Sequence, residues 1–170
     1  VVSGAKRHKL PVVVHTSTPQ DVQDAVDRDI AGIEHGSMRD ALPAQLVNEL
    51  AAKGIRYDPT IVVLDSVYRI AQRDSAVIED PLTRQTISAN LLNKMRRWIN
   101  NHDVPPAMAQ IPPPKSTAAV KNLIATFKAH VPLVLGTDAG NFGTFHGAAV
   151  HREMELWQEA YKSAEDVHQV

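Results

Sequence analysis

Three polar side chains stand where short apolar runs end. His15 closes Pro11-Val-Val-Val-His15, and His35 closes Ile30-Ala-Gly-Ile-Glu-His35 ahead of Gly36. Asp138 follows Val131-Pro-Leu-Val-Leu135 within Gly136-Thr-Asp-Ala-Gly140. Neutral imidazole and carboxylate are the usual ligands of zinc and similar divalent ions. Two imidazoles and one carboxylate fill three positions and leave room for water. Water bound to such an ion becomes a nucleophile near neutral pH, and a neighbouring carboxylate can take its proton. Taken singly, each residue has a plainer reading, as a hydrogen-bonded strand-end histidine or a turn aspartate. Three at three separate strand ends are harder to dismiss than one.

The elements that would position them alternate. Residues 11–15, β-branched and apolar, read as a buried parallel strand. Thr18 then offers a cap, Pro19 a first helical position and Asp21 a favourable charge for a helix that buries Val22, Ala25 and Val26. Residues 30–36 form a second strand, and Leu42 to Lys53 a helix ended by Gly54. A third strand is expected at Arg56–Thr60. Residues 64–102 read as mostly helical, with Ile87, Leu91, Met95, Trp98 and Ile99 on one stripe and both tryptophans, Trp98 and Trp157, in the core. Residues 103–114 are proline-rich and predict an extended loop. A helix over 116–130 buries Val120, Leu123, Ile124 and Phe127. Residues 131–135 make a fourth strand, followed by a helix over 146–162, and Ser163 to Asp166 reads as the start of another.

Alternation of this kind implies an α/β fold with parallel strands. About four βα units fit, roughly half of what a closed barrel needs. Half of a barrel and a small open doubly wound sheet both remain open at this point. With 18 Lys+Arg against 19 Asp+Glu, interspersed, the chain has no basic stripe and no pull on nucleic acid. No apolar run nears the roughly 18 residues that span a bilayer. Cysteine is absent, which removes thiolate ligands and a cysteine nucleophile. The first residue is Val, and the chain is expected to begin inside a longer reading frame. The composition assigns no compartment.

The segment "LPVVVHTSTPQDVQDAVDRDIAGIEHGS" resembles the fifth and sixth strands of the amidohydrolase superfamily. "GIRYDPTIVVL" resembles the seventh, and "VPLVLGTDAGNFGTFHGAAVHREMELWQEA" the eighth with its following helix. The likeness is to imidazolonepropionase-like members, which include dipeptidases acting on Xaa-Pro dipeptides. It implies that residues 1–170 form the C-terminal half of a (β/α)8 TIM barrel, with a helical and proline-rich insertion at about 64–115. It also implies a divalent metal, zinc foremost, with one or two ions in the complete protein. His15 and His35 would ligate the second metal. Asp138 would ligate the first and act as general base. His146 and Asn141, on the loop after the eighth strand, would contact substrate. For His146 the plainer alternative is a helix cap or packing on Phe145.

The family's His-x-His pair and its bridging lysine or glutamate have no counterpart here, since Lys6 and Lys9 fall in a helix before the fifth strand. The function so implied is hydrolysis of C–N bonds in dipeptides, other non-standard peptides or cyclic amides. The other class is a catalytically silent metal-binding or interaction fragment that needs an N-terminal half or a partner chain. Exposed strand edges would also permit a homo-oligomer. A sugar-phosphate enzyme ranks last, because Asp138 would repel phosphate. His8, His102, His130, His151 and His168 read as surface or helix-end residues, and Asp58 as a strand-end hydrogen bonder.

Overall fold

The computed structural model describes residues 1–101 and 110–166, with side chains through 162. His102, His168 and most of the proline-rich segment lie outside the described residues. The helices are α1 (Val2–Arg7), α2 (Pro19–Val26), α3 (Ala44–Lys53), α4 (Val62–Ala71), α5 (Ala76–Glu79), α6 (Pro81–Thr86), α7 (Ala89–Asn101), α8 (Ala118–Lys128) and α9 (Ala148–Asp166). The strands are β1 (Val13–His15), β2 (Gly32–Glu34) and β3 (Arg56–Asp58). Two compact units result. The first is Val1–Pro59, Lys115–Leu135 and Glu159–Val170; the second is Thr60–Pro114 and Gly136–Gln158. No described helix is long and apolar enough to cross a membrane.

The first unit carries a parallel sheet in the order β1-β2-β3. Side chains alternate across a strand, so the aligned residues Val14, Ile33 and Tyr57 share one face. That row joins Val22, Val26, Leu46 and Leu50 in one core cluster. The next aligned row, His15, Glu34 and Asp58, stands on the opposite face at the C-terminal ends of the strands. The helices start and stop as their sequences dictate. Thr18 and Asp21 close a reciprocal capping box on α2, with Pro19 in the first turn. Gly54, at φ 62°, ends α3 in the left-handed conformation.

The expected fourth strand is reduced to one parallel bridge between Tyr57 and Leu133. Tyr57 N donates to Pro132 O at 2.9 Å, and Val134 N donates to Tyr57 O at 2.9 Å. The ladder stops there because both neighbouring rungs would need a proline N–H. Pro132 has none to give toward Ile55, and Pro59 none toward Val134.

The second unit is helical. Ile70, Val77, Ile78, Leu92, Met95, Ile99 and Phe145 form its core. The expected stripe holds at Met95 and Ile99 but not at Leu91, 39% exposed, or Trp98, 40% exposed, and Leu92 is buried instead. The reason is a break. Residue 87 is extended (φ −111°, ψ 149°), so α6 ends before it and α7 restarts the helical phase. Phe127 of α8, in the first unit, is also exposed, at 52%, against the ring of Tyr161. Finally, α9 runs unbroken through Ser163 to Asp166, where a new helix start was expected. Nothing from Ala148 onward in that helix is Gly or Pro, so nothing interrupts it.

Candidate functional site

In the parallel register His15 pairs with Glu34, which leaves His35 one residue beyond the end of β2. Regular alternation would send His35 to the face of Ile33. Its φ of 67° breaks the alternation, and its ring meets that of His15 edge-on, centroids 4.5 Å apart at 67°. Left-handed backbone is unfavourable for a residue with a Cβ, so the surroundings must hold it. Thr16, 2% exposed, does this from the neighbouring strand end. Its Oγ1 donates to Gly36 O at 2.8 Å and to Glu34 O at 3.1 Å, clamping both sides of His35. The His35 N–H donates to Asp58 O at 2.7 Å. Gly36, at φ 64°, packs so closely on the Tyr57 ring that a Cβ would lie 2.3 Å from it. Past that turn, the buried Asn122 of α8 accepts from Leu42 N at 2.8 Å and donates to Ser37 O at 2.8 Å and Asp40 O at 3.1 Å.

His15 is exposed, and its Nε2 lies 3.2 Å from Ser17 Oγ. The turn after it is fixed by Asp21, whose carboxylate accepts from Ser17 N at 3.0 Å and Thr18 N at 2.9 Å. Those bonds, Ser17's first, hold the Asp21 carboxyl below the usual carboxylate range.

The pair suits a divalent ion by donor type. Two imidazoles on adjacent strand ends match the nitrogen ligands of zinc, with the carboxylates Glu34 and Asp58 in the same cross-strand row as His15. Among the described residues no group of three or more such side chains is gathered tightly enough to hold an ion. The structure therefore brings together His15 and His35. Asp138 belongs to the second unit.

Asp138 is exposed and also has a left-handed backbone, φ 51°. Asn141 Nδ2 donates to its Oδ2 at 2.6 Å and to its carbonyl at 3.1 Å. The loop then closes on itself, with Gly140 N to Thr144 O and Thr144 N to Asn141 O, both 3.0 Å. Asn141 and the exposed His146 line one groove with Trp98 of α7. His8, His130 and His151 are exposed, as expected.

Sequence reasoning missed Glu153. It is fully buried, and its carboxylate accepts from Ile61 N (3.0 Å), Val62 N (2.6 Å) and Trp157 Nε1 (2.7 Å), pinning the start of α4. The preceding Arg152 forms a two-pronged pair with Asp65, at 2.8 and 3.0 Å. The available signal was a charge on an apolar stripe, since Ala149, Glu153, Leu156 and Ala160 are buried on one face.

Glu153→Gln is expected to cost about 1–3 kcal/mol in urea unfolding, because one amide oxygen cannot serve three donors. Burial raises the carboxyl above its ordinary 4.5. The acid form is thus relatively favoured in the folded chain. Its stabilisation is complete below 4.5 and lost as pH rises through the raised value. The glutamine variant should lose that part of the pH profile; an unchanged profile and stability would show that Glu153 is no pin.

Neither a protein-family model nor a curated protein sequence matches the chain. Solved structures do. A Xaa-Pro dipeptidase with methionine bound in its active site superposes with TM-score 0.57 at 20% identity. Bottromycin amidohydrolase follows with 0.55 at 22%, and molinate hydrolase with 0.52 at 20%. The fold is of amidohydrolase type. These matches cover 94%, 94% and 91% of this chain, but only 31%, 38% and 31% of the other chains. The chain thus spans about a third of the length of the amidohydrolase-type enzymes it superposes on.

Proposed function

We propose that the chain is part of a metal-dependent hydrolase of carbon–nitrogen bonds, acting on dipeptides, other non-standard peptides or cyclic amides. One observation carries this: two imidazoles meet at the C-terminal ends of neighbouring parallel strands, where α/β proteins build their sites. The amidohydrolase-type fold supports it. We read that fold as the C-terminal half of a (β/α)8 barrel with an insertion at about 64–115. A bound divalent ion, zinc by donor type, would polarise the scissile carbonyl and acidify a water. His15 and His35 would hold that ion through ring nitrogens. Asp138, its carboxylate oriented by Asn141, would take the water's proton and pass it to the leaving nitrogen. Asn141 and His146 would contact the substrate.

The test is release of free amino acid from a panel of dipeptides and N-acyl amino acids, with zinc and with chelator. It is run on the 170-residue chain and on the protein encoded by its full reading frame. Chelator-sensitive hydrolysis by the full protein is the expected result. Asp138→Asn should lower kcat by about 10²–10⁴-fold while leaving the melting temperature unchanged, because asparagine tolerates the left-handed backbone. Absence of hydrolysis under both conditions would overturn the reading. A second reading, a non-catalytic module that pairs with another chain, is favoured by β1. It lies at the margin of the sheet, and Val13 is 52% exposed. In that case the full protein would bind zinc or partner chain without hydrolysing anything in the panel.

A further inference from the structure

The second unit contains a groove of about 320 Å³ that Asn141 and His146 line at one side. One wall is α7 with the residues just before it, and the other is the loop 140–146. Ile87, Met95, Trp98, Phe142 and Phe145 make it apolar. The rings of Trp98 and Phe142 meet at 4.6 Å and a tilt of 37°. Trp98 is nevertheless 40% exposed, and Leu91 beside it 39%. Large apolar side chains left open around a concave surface mark a binding site more often than scattered exposure does.

Three further observations give the occupant a chemistry. Among the described residues no carboxylate lines the groove, and its charged and titratable members are Lys94 and His146. An anionic ligand is therefore favoured over a cationic one. Thr144 lines it too, and its Oγ1 is buried with no hydrogen-bond partner among the described residues. The volume lies at the low end of the roughly 300–1,000 Å³ range of small-molecule sites, which suits one amino-acid-sized group and not an extended peptide. The loop wall is held in shape. Gly143 sits at φ 77° with Ile70 Cδ1 only 2.4 Å from where a Cβ would be.

We propose that this groove binds the apolar part of a carboxylate-bearing amide, an N-acyl amino acid or dipeptide with an aromatic or branched aliphatic side chain, and that Lys94 attracts its carboxylate. The inference deepens the hydrolase reading and rests on it for the amide. It makes α7 a specificity-determining element.

The experiment titrates the 170-residue chain, without metal, with N-acetyl-L-phenylalanine, N-acetyl-L-phenylalaninamide and N-acetylglycine, following binding by calorimetry. N-acetyl-L-phenylalanine should bind at least about 10-fold tighter than N-acetylglycine, the difference a buried aromatic ring makes. Trp98→Ala should remove that advantage. Lys94→Ala should weaken the acid by about 3–10-fold and leave the neutral amide unaffected. Both side chains are exposed, so neither variant threatens the core. Failure of N-acetyl-L-phenylalanine to outbind N-acetylglycine, indifference to Trp98→Ala, or equal loss for acid and amide in Lys94→Ala would each overturn the proposal. Binding here is read without turnover. If these titrations succeed and the full protein hydrolyses nothing, the hydrolase reading alone falls. If it hydrolyses amides with a KM for aromatic substrates that ignores Trp98→Ala, the groove alone falls.

Discussion

Replacing His35 by alanine is expected to weaken zinc binding by the chain at least about 100-fold, because it removes one of two nitrogen donors. Isothermal titration with zinc would read it. His15→Ala should have the same effect, and it is the cleaner variant because His15 is exposed while His35 is 7% exposed. The two losses should not add. Once one ring of the pair at 4.5 Å is gone, the other alone is a weak monodentate site, so the double variant should match either single one. A threonine-to-valine change at Thr16 is the subtler probe. It keeps both rings but deletes the hydroxyl that clamps Glu34 O and Gly36 O. If zinc affinity were unchanged in both histidine variants, the ring contact would be packing alone.

The second large effect concerns stability. Gly36→Ala is expected to lower it by about 2–4 kcal/mol, from overpacking and left-handed strain together. For a chain of this size that is a melting temperature lower by about 5–15 °C. The added Cβ would lie 2.3 Å from Tyr57 Cε2 and from its hydroxyl, and Tyr57 is fully buried in the core cluster. The tyrosine cannot swing aside without displacing Ile33 or Leu133, its neighbours across the sheet. Gly54→Ala provides the control. It has almost the same φ, 62°, but nothing within 4 Å. It should lose only the strain, of the order of 1 kcal/mol. Equal losses in the two variants would mean that the close approach of Gly36 to Tyr57 carries no weight.

What the sequence made legible was local. β1, β2 and β3, the capping box of α2 and the glycine end of α3 all depend on residues within a few positions of each other, and they stand where the pattern put them. The pairing of His15 with His35 was legible in a different way: two strand ends of one parallel sheet must fall on one side. The rest needed partners far along the chain. Thr16, Asn122 and Glu153 act on residues 18–20, 80–85 and 91–92 positions away. No spacing rule reaches that far. Met95 and Ile99 of α7 are buried as the stripe required, but Leu91 and Trp98 were misassigned because one extended residue, Ile87, resets the helical phase. The Val131–Leu135 run looked like a strand by composition, yet two prolines on different segments left it one rung.

The left-handed backbone at positions 35 and 138 has a consequence for anyone redesigning this chain. Each L-residue there costs of the order of 1 kcal/mol that glycine would not. An optimiser scoring folding alone would place glycine at both sites and gain in thermal tolerance. It would thereby erase an imidazole and a carboxylate, two of the groups proposed to carry the reaction. Fitness for the fold and fitness for the proposed reaction pull in opposite directions at those two codons.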